Sequence, residues 1–258
     1  MKLNTYLPSP LLQPYIEMYW LQSGYMEKPE VITLIPDNGG INLILNLGET
    51  IKSLRYNKVV NHEGIFLVGT HFQADEQELH GDILLFGIKF RPGAFTHFYQ
   101  FDSLHVYANQ FQEFDTKLFP DIKKTMQLFI PYLDQYYLDR LKEPKFSLLN
   151  VVSAITQNTG QRMESLTKHF FTTERHLERQ FKRQIGISPK EFINLQRFNQ
   201  ALVKLQQSKQ ERTLSDIAWD CGYYDHAHLT NDFKRYTGKS PSEFFLSDFS
   251  KLVTAGTS

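Results

Sequence analysis

The sequence predicts an α+β protein. Its front half reads as a small β-barrel or sandwich with appended helices, and its rear half as an all-α domain of two helix-turn-helix units joined by a long linker helix. Three observations carry this. Apolar runs in the first half are short and bounded by turn residues; from about Phe146 apolar residues recur every three or four positions; and a twelve-residue segment occurs twice in the second half.

In the first half, "VITLIPDNGGINLILNLGE" places β-rich runs on either side of Pro36-Asp37-Asn38-Gly39-Gly40, a turn cluster. "GIFLVGT" and "GDILLFGIKF" read as further strands, and "RPGAFTHFY" opens like a helix. Residues 118–142 look helical, divided by Pro120 and Pro131. Leu118, Ile122, Met126, Phe129, Leu133 and Tyr137 form an apolar face there, for the core or for a dimer contact, with the core favoured. The break at "KEPKFS" sets the expected boundary between domains 1–144 and 145–258.

In the second half, Phe192, Leu195, Phe198, Leu202 and Leu205 mark one helix with a buried stripe. "FKRQIGISPKEF" (181–192) and "FKRYTGKSPSEF" (233–244) agree at eight of twelve positions. Gly186 and Gly238 suit the positive φ that ends a helix. Ser188 with Glu191, and Ser240 with Glu243, read as capping boxes, with Pro189 and Pro241 at the first helical position. Upstream of each copy lies a helix, a tight turn and a second helix, over about 162–184 and 213–236. In the second unit Thr213 caps with Asp216 in return, Ile217, Ala218 and Cys221 face inward, Gly222 turns, and Asp225 caps the helix carrying Leu229 and Phe233. In the first, Leu166 faces inward, Thr173 caps, and Leu177 and Phe181 form the core side.

Net charge is zero but divided: residues 1–144 hold 12 basic and 17 acidic side chains, residues 145–246 hold 15 and 10. The basic half suits a polyanionic partner. No apolar run has the length of a membrane span, the start lacks the apolar block of a secretory signal, and a single cysteine fits a reducing cytoplasm. "DCGYYDHAH" crowds Asp220, Cys221, Asp225, His226 and His228 together. Histidines two apart on a helix point about 200° apart, so they do not share a metal. His71 and His80 lack the spacing of a cupin metal site, "DNGG" lacks the Lys-Ser/Thr of a phosphate loop, and no nucleophile elbow occurs. The reading is therefore of no catalytic residues, no metal and no cofactor. Glu17, Trp20 and Arg91 sit on otherwise apolar segments as candidates for a ligand pocket, with a structural role as the alternative.

"IAWDCGYYDHAHLTNDFKRYTGKSPSEFF" resembles the AraC/XylS family of bacterial transcription regulators, and the resemblance extends over about 147–246. "YIEMYW", "LIPDNGGINLILNLG" and "LFGIKFRPGAF" more loosely resemble the sensing or oligomerising domain of some members. The resemblance implies a double-stranded DNA partner, with two recognition helices in successive major grooves about 10 bp apart. Arg175, Glu178 and Arg179 of the first helix, and His226, His228, Thr230 and Asn231 of the second, are the expected base readers. Thr173, Lys182, Arg183, Ser188, Lys234, Arg235 and Ser240 are the expected phosphate contacts. Two departures stand out: Phe171 where a turn glycine is common, with the first turn expected to be distorted or differently packed, and Asn231, followed by Asp232, where many relatives place arginine. Asp232 beside a phosphate is unfavourable, so the first unit is expected to supply more of the specific affinity. A small-molecule effector, RNA polymerase and a second copy of the chain complete the expected partners, and no membrane. A constitutive dimer without ligand is the main alternative, and an enzyme domain fused to a DNA-binding domain the remoter one.

Overall fold

The computed structural model describes residues 1–207, 213–246 and 252–254, apart from the side chains of 122, 123, 125–128, 245, 246 and 252–254. Eight strands of the first half share one sheet: β1 (Lys2–Tyr6), β2 (Ile16–Ile35), β3 (Ile41–Asn46), β4 (Ile51–Ser53), β5 (Lys58–Val60), β6 (Ile65–Val68), β7 (Asp75–Phe90) and β8 (Phe111–Glu113). The main path runs β1-β2-β7-β3-β6-β8. The two long strands build it, because β7 pairs with β2 along one edge and with β3 and then β4 along the other. Among the described residues the path's ends, β1 and β8, do not pair, so the sheet is open and the expected barrel gives way to the sandwich alternative.

β2 begins well before the run expected from sequence. Its neighbours Tyr19 and Trp20 are both buried, on opposite faces of the sheet. A strand covered on both faces loses the apolar-polar alternation that reveals strands. "RPGAFTHFY" forms only a single 3-10 turn at Phe95–His97, and its aromatic rings pack against Phe90. Helix α1 (Ile122–Arg140) breaks at Phe129 (φ 39°), two residues before Pro131. Leu133 and Tyr137 are fully buried against the sheet, which places that face in the core. Ile122 and Met126 of the same expected face lie outside the described side chains.

The second half is helical: α2 (Leu149–Gln157), α3 (Met163–His169), α4 (Glu174–Gln184), α5 (Pro189–Gln207), α6 (Leu214–Asp220), α7 (His226–Thr237) and α8 (Pro241–Leu246). A last short strand, β9 (Leu252–Thr254), returns to pair in parallel with Thr33–Ile35. The linker helix α5 buries Phe192, Leu195, Phe198 and Leu202, with Leu205 partly buried at its end. Both capping boxes on Ser188 and Ser240 form: each serine amide donates to its glutamate 2.8 Å away. Thr213 and Asp216 cap reciprocally, as expected.

The two halves pack together. Ile35 joins the helical core, with Phe72 and Ala108 packed against it. From α5, the Gln196 amide donates to the Asn38 carbonyl (2.7 Å) and the Asn199 amide to the Asp37 carbonyl (2.6 Å). The turn they hold is braced from behind by buried Lys89, whose ammonium lies 3.2 Å from Asp37 and 3.4 Å from Glu17. Burial alone would lower the Lys89 pKa; the two carboxylates outweigh it and hold the pKa above the ordinary lysine value.

Candidate nucleic-acid interface

Each helix-turn-helix unit is a short helix, a turn and a capped recognition helix. In the first, α3 leads to α4, where the Thr173 hydroxyl accepts from the His176 amide. In the second, α6 leads to α7, where Asp225 accepts from the His228 amide at 2.7 Å. Cys221 is buried at the end of α6, and Gly222 turns the chain at φ +74°. Phe171 takes the equivalent left-handed conformation (φ 48°) with its ring 97% exposed. The matching bonds, Thr172 N to Thr167 O and Tyr223 N to Ala218 O, show that the first turn keeps its path and is one residue shorter before the cap. The expected distortion is therefore a strained residue in an ordinary turn.

Leu177, Gln180, Phe181 and Gln184 are buried and orient α4. Arg175, Arg179, Lys182 and Arg183 are exposed, while Glu178 is half-buried on the flank. At 100° per residue, Arg175, Arg179 and Lys182 form one outward stripe. None of these four cations is ion-paired with a described carboxylate; Arg179 reaches only the His176 ring, at 3.1 Å. The repeat aligns this stripe with Ala227, Asn231 and Lys234 on α7, so one cation stands where the first unit has three. His226, His228, Asn231, Lys234 and Arg235 are exposed. Thr230 is half-buried, and its hydroxyl donates to the His226 carbonyl at 2.8 Å.

Three expectations change. Asp232 does not face a phosphate: it is buried beside Tyr223, and burial raises its pKa above the usual aspartate range. The spacing from Leu229 and Phe233 already contained that orientation. Ser188 and Ser240 have both amide and hydroxyl engaged by Glu191 and Glu243, which leaves them poorly placed to hold phosphate. Glu17, Trp20 and Arg91 each have a structural partner, the alternative to a ligand pocket. Glu17 pairs with Lys89, the Trp20 indole donates to Asn42 (3.3 Å), and Arg91 donates to the Gln13 carbonyl (2.7 Å). Arg197 was not singled out by sequence: it lies on the linker helix, 5.5 Å over the Tyr223 ring, bracing the second unit.

Two cavities open in the sheet half. One, with room for about 20 Å³, is lined by Leu34, Ile35, Asp37, Val68, His71 and Phe111 among others. The other, about 120 Å³, lies between Leu67, Phe101, Tyr107, Phe114 and Leu118. The His71 Nδ1 lies 2.7 Å from the Gly69 carbonyl, its Nε2 is buried without a partner, and burial lowers its pKa. Among the described residues no group of three or more His, Cys, Asp or Glu could hold a metal ion. No described helix is long and apolar enough to cross a membrane.

A sheet domain followed by paired helix-turn-helix units on one linker helix defines the class of protein. Residues 166–247 match a family model described as a helix-turn-helix domain, and residues 4–111 one described as a domain of unknown function (DUF6597). The HTH-type transcriptional activator RhaS of Citrobacter koseri is 34% identical over 80 residues, and that of Escherichia coli O139:H28 is 32% identical. Each match covers 31% of this chain and 28% of the relative's length. The crystal structure of ToxT from Vibrio cholerae has the same fold, with a TM-score of 0.51 over 88% of this chain and 97% of that one, at 11% identity. ToxT bound to (E)-4-(8-methylnaphthalen-1-yl)but-3-enoic acid matches equally, with a TM-score of 0.51. Over this C-terminal region the chain is similar to the helix-turn-helix part of these activators, and it spans less than a third of their length. The relatives matched are transcription regulators.

Proposed function

We propose that the protein is a sequence-specific DNA-binding transcription regulator, an activator in the manner of the relatives it resembles. One observation carries this: two capped recognition helices stand on a shared linker helix, and the first presents Arg175, Arg179 and Lys182 as an exposed stripe without carboxylate partners. Arginine reaches guanine O6 and N7 bidentately, and lysine neutralises phosphate. Arg175 and Arg179 read bases, with Glu178 at the edge. Thr173, Lys182 and Arg183 meet the backbone. In the second unit Asn231 reads adenine, His226, His228 and Thr230 contribute hydrogen bonds, and Lys234 and Arg235 meet phosphates. Residues 145–258 form the DNA-binding domain and residues 1–144 the domain that controls it, in the cytoplasm, with RNA polymerase as the onward partner and a second copy of the chain as the oligomeric one.

A second reading, that a small molecule sets the control, rests on the cavity beside His71 and Asp37, next to the contacts between the halves. ToxT, with the same fold, holds a small organic acid. At its present volume the cavity admits only a water-sized group, so a larger effector requires it to open. Chromatin pull-down with sequencing tests the function: discrete enriched promoter regions are expected, and recovery of no enriched DNA overturns it.

A further inference from the structure

The six-residue loop between β6 and β7, residues 69–74, touches the C-terminal ends of both recognition helices. The buried Thr70 hydroxyl lies 2.6 Å from the Ile185 carbonyl, at the end of α4. Four residues on, the Ala74 amide donates to the Tyr236 carbonyl, at the end of α7, at 2.9 Å. The last carbonyls of a helix have no partner within it, so each contact satisfies an acceptor that would otherwise be orphaned. The loop is itself held. The Phe72 amide donates to Asn109 at 2.8 Å, Arg55 donates to the Ala74 carbonyl at 2.7 Å, and Thr70 also lies 3.0 Å from the Gly39 carbonyl.

Among the described residues, a second sheet-domain segment holds the end of the first helix. Ser103 donates to the Lys182 carbonyl (3.1 Å), and His105 Nδ1 lies 2.7 Å from the Gly186 carbonyl. The internal repeat supplies the comparison. At Gly186 an added Cβ would meet the Leu104 carbonyl at 2.9 Å, whereas at Gly238, its counterpart in the second unit, nothing lies within 4 Å. The outward stripe of α4 stays exposed throughout, so these contacts hold the helix without covering its reading face.

We infer that the loop 69–74 is a spacer: by fixing the ends of α4 and α7 relative to each other, it sets the half-site spacing at which both helices read DNA together. This rests on the DNA-binding reading above. The linker helix α5 joins the two units through side-chain packing, while the loop adds a hydrogen-bonded strut between the helix ends. One base pair of added spacing displaces a half-site by about 3.4 Å, more than a hydrogen bond of this kind tolerates. Thr70, with Ser103 in support, is thus a positioning residue for recognition.

The test uses the full chain and an operator selected from a pool of random duplexes. Affinity is measured on that operator, on versions with half-sites moved one base pair apart or together, and on the first half-site alone. For Thr70→Val with Ser103→Ala, the penalty for altered spacing is expected to fall by about fivefold, with affinity for the single half-site unchanged. Thr70→Ser, which keeps the hydroxyl, is expected to retain the full penalty. Arg55→Ala, at an exposed position that supports Ala74, is expected to lower the penalty in part, and serves if the double variant does not fold. An unchanged spacing penalty in the double variant, or in Arg55→Ala where the double variant does not fold, overturns the inference, as does equal loss in Thr70→Ser. Selection that recovers no operator with the wild-type chain overturns the DNA-binding reading instead.

Discussion

The Thr70 hydroxyl lies 2.6 Å from the Ile185 carbonyl, joining the β6–β7 loop of the sheet to the end of a recognition helix across 115 residues of sequence. Around it the contacts between the halves are hydrogen bonds to backbone carbonyls, set on a buried charged cluster. That arrangement places the stability of the sheet domain and the geometry of the DNA-binding units in one network.

Lys89 is the centre of the cluster. Removing its charge leaves buried Asp37 and half-buried Glu17 without a cation, so Lys89→Met should lower stability by about 3–5 kcal/mol. Chemical denaturation followed by tryptophan fluorescence measures this. A loss within the error of a surface substitution would show that the pair does not brace the turn.

Phe171 gains nothing from packing and adopts a conformation that suits glycine. Phe171→Gly should therefore raise stability by about 0.5–1 kcal/mol, the relief of strain exceeding glycine's entropic cost. A lower melting temperature would mean that the exposed ring has a partner in solution.

The Ser188–Glu191 box carries a pH signature. Burial acts to raise the Glu191 pKa, but the Ser188 hydroxyl and amide outweigh it, so the folded value lies below the ordinary one. Its contribution is present above the unfolded pKa and lost as pH falls through the folded value. Ser188→Ala should cost about 1 kcal/mol near neutrality, with the gap from wild type narrowing as pH drops through the acid carboxylate range. A gap constant with pH would exclude the carboxylate.

The repeated glycines separate two costs. Gly238→Ala should destabilise by about 1 kcal/mol through its left-handed φ alone. Gly186→Ala should cost more, because its Cβ also meets the Leu104 carbonyl at 2.9 Å. Equal losses in thermal denaturation would mean that the 103–105 segment yields freely.

The helical half was legible because its signals are local. Thr213, Asp225, Ser188 and Ser240 cap where the sequence placed them, and Leu177, Phe181, Leu229 and Phe233 fall on the buried faces. The sheet half was harder. Strand β2 is covered on both faces at Tyr19 and Trp20 and shows no alternation there, and the open path depends on long-range pairing that no short window contains. In the candidate interface, the outward positions of Arg175 and Arg179 followed from the 3.6-residue period. The same period applied to Asp232 would have turned it inward. The contacts of Thr70, Ser103 and His105 were invisible, since a polar loop residue gives no sign of the carbonyl it meets.

The first helix-turn-helix unit is proposed to supply most of the sequence-specific affinity. The direct measurement is titration of the full chain against its selected operator, comparing Arg175→Ala, Arg179→Ala and Asn231→Ala. Arg179→Ala is expected to cost about 1–3 kcal/mol and to relax specificity at one base, with Arg175→Ala similar and Asn231→Ala smaller than either. Wild-type affinity in both arginine variants, or a larger loss in Asn231→Ala, would contradict it.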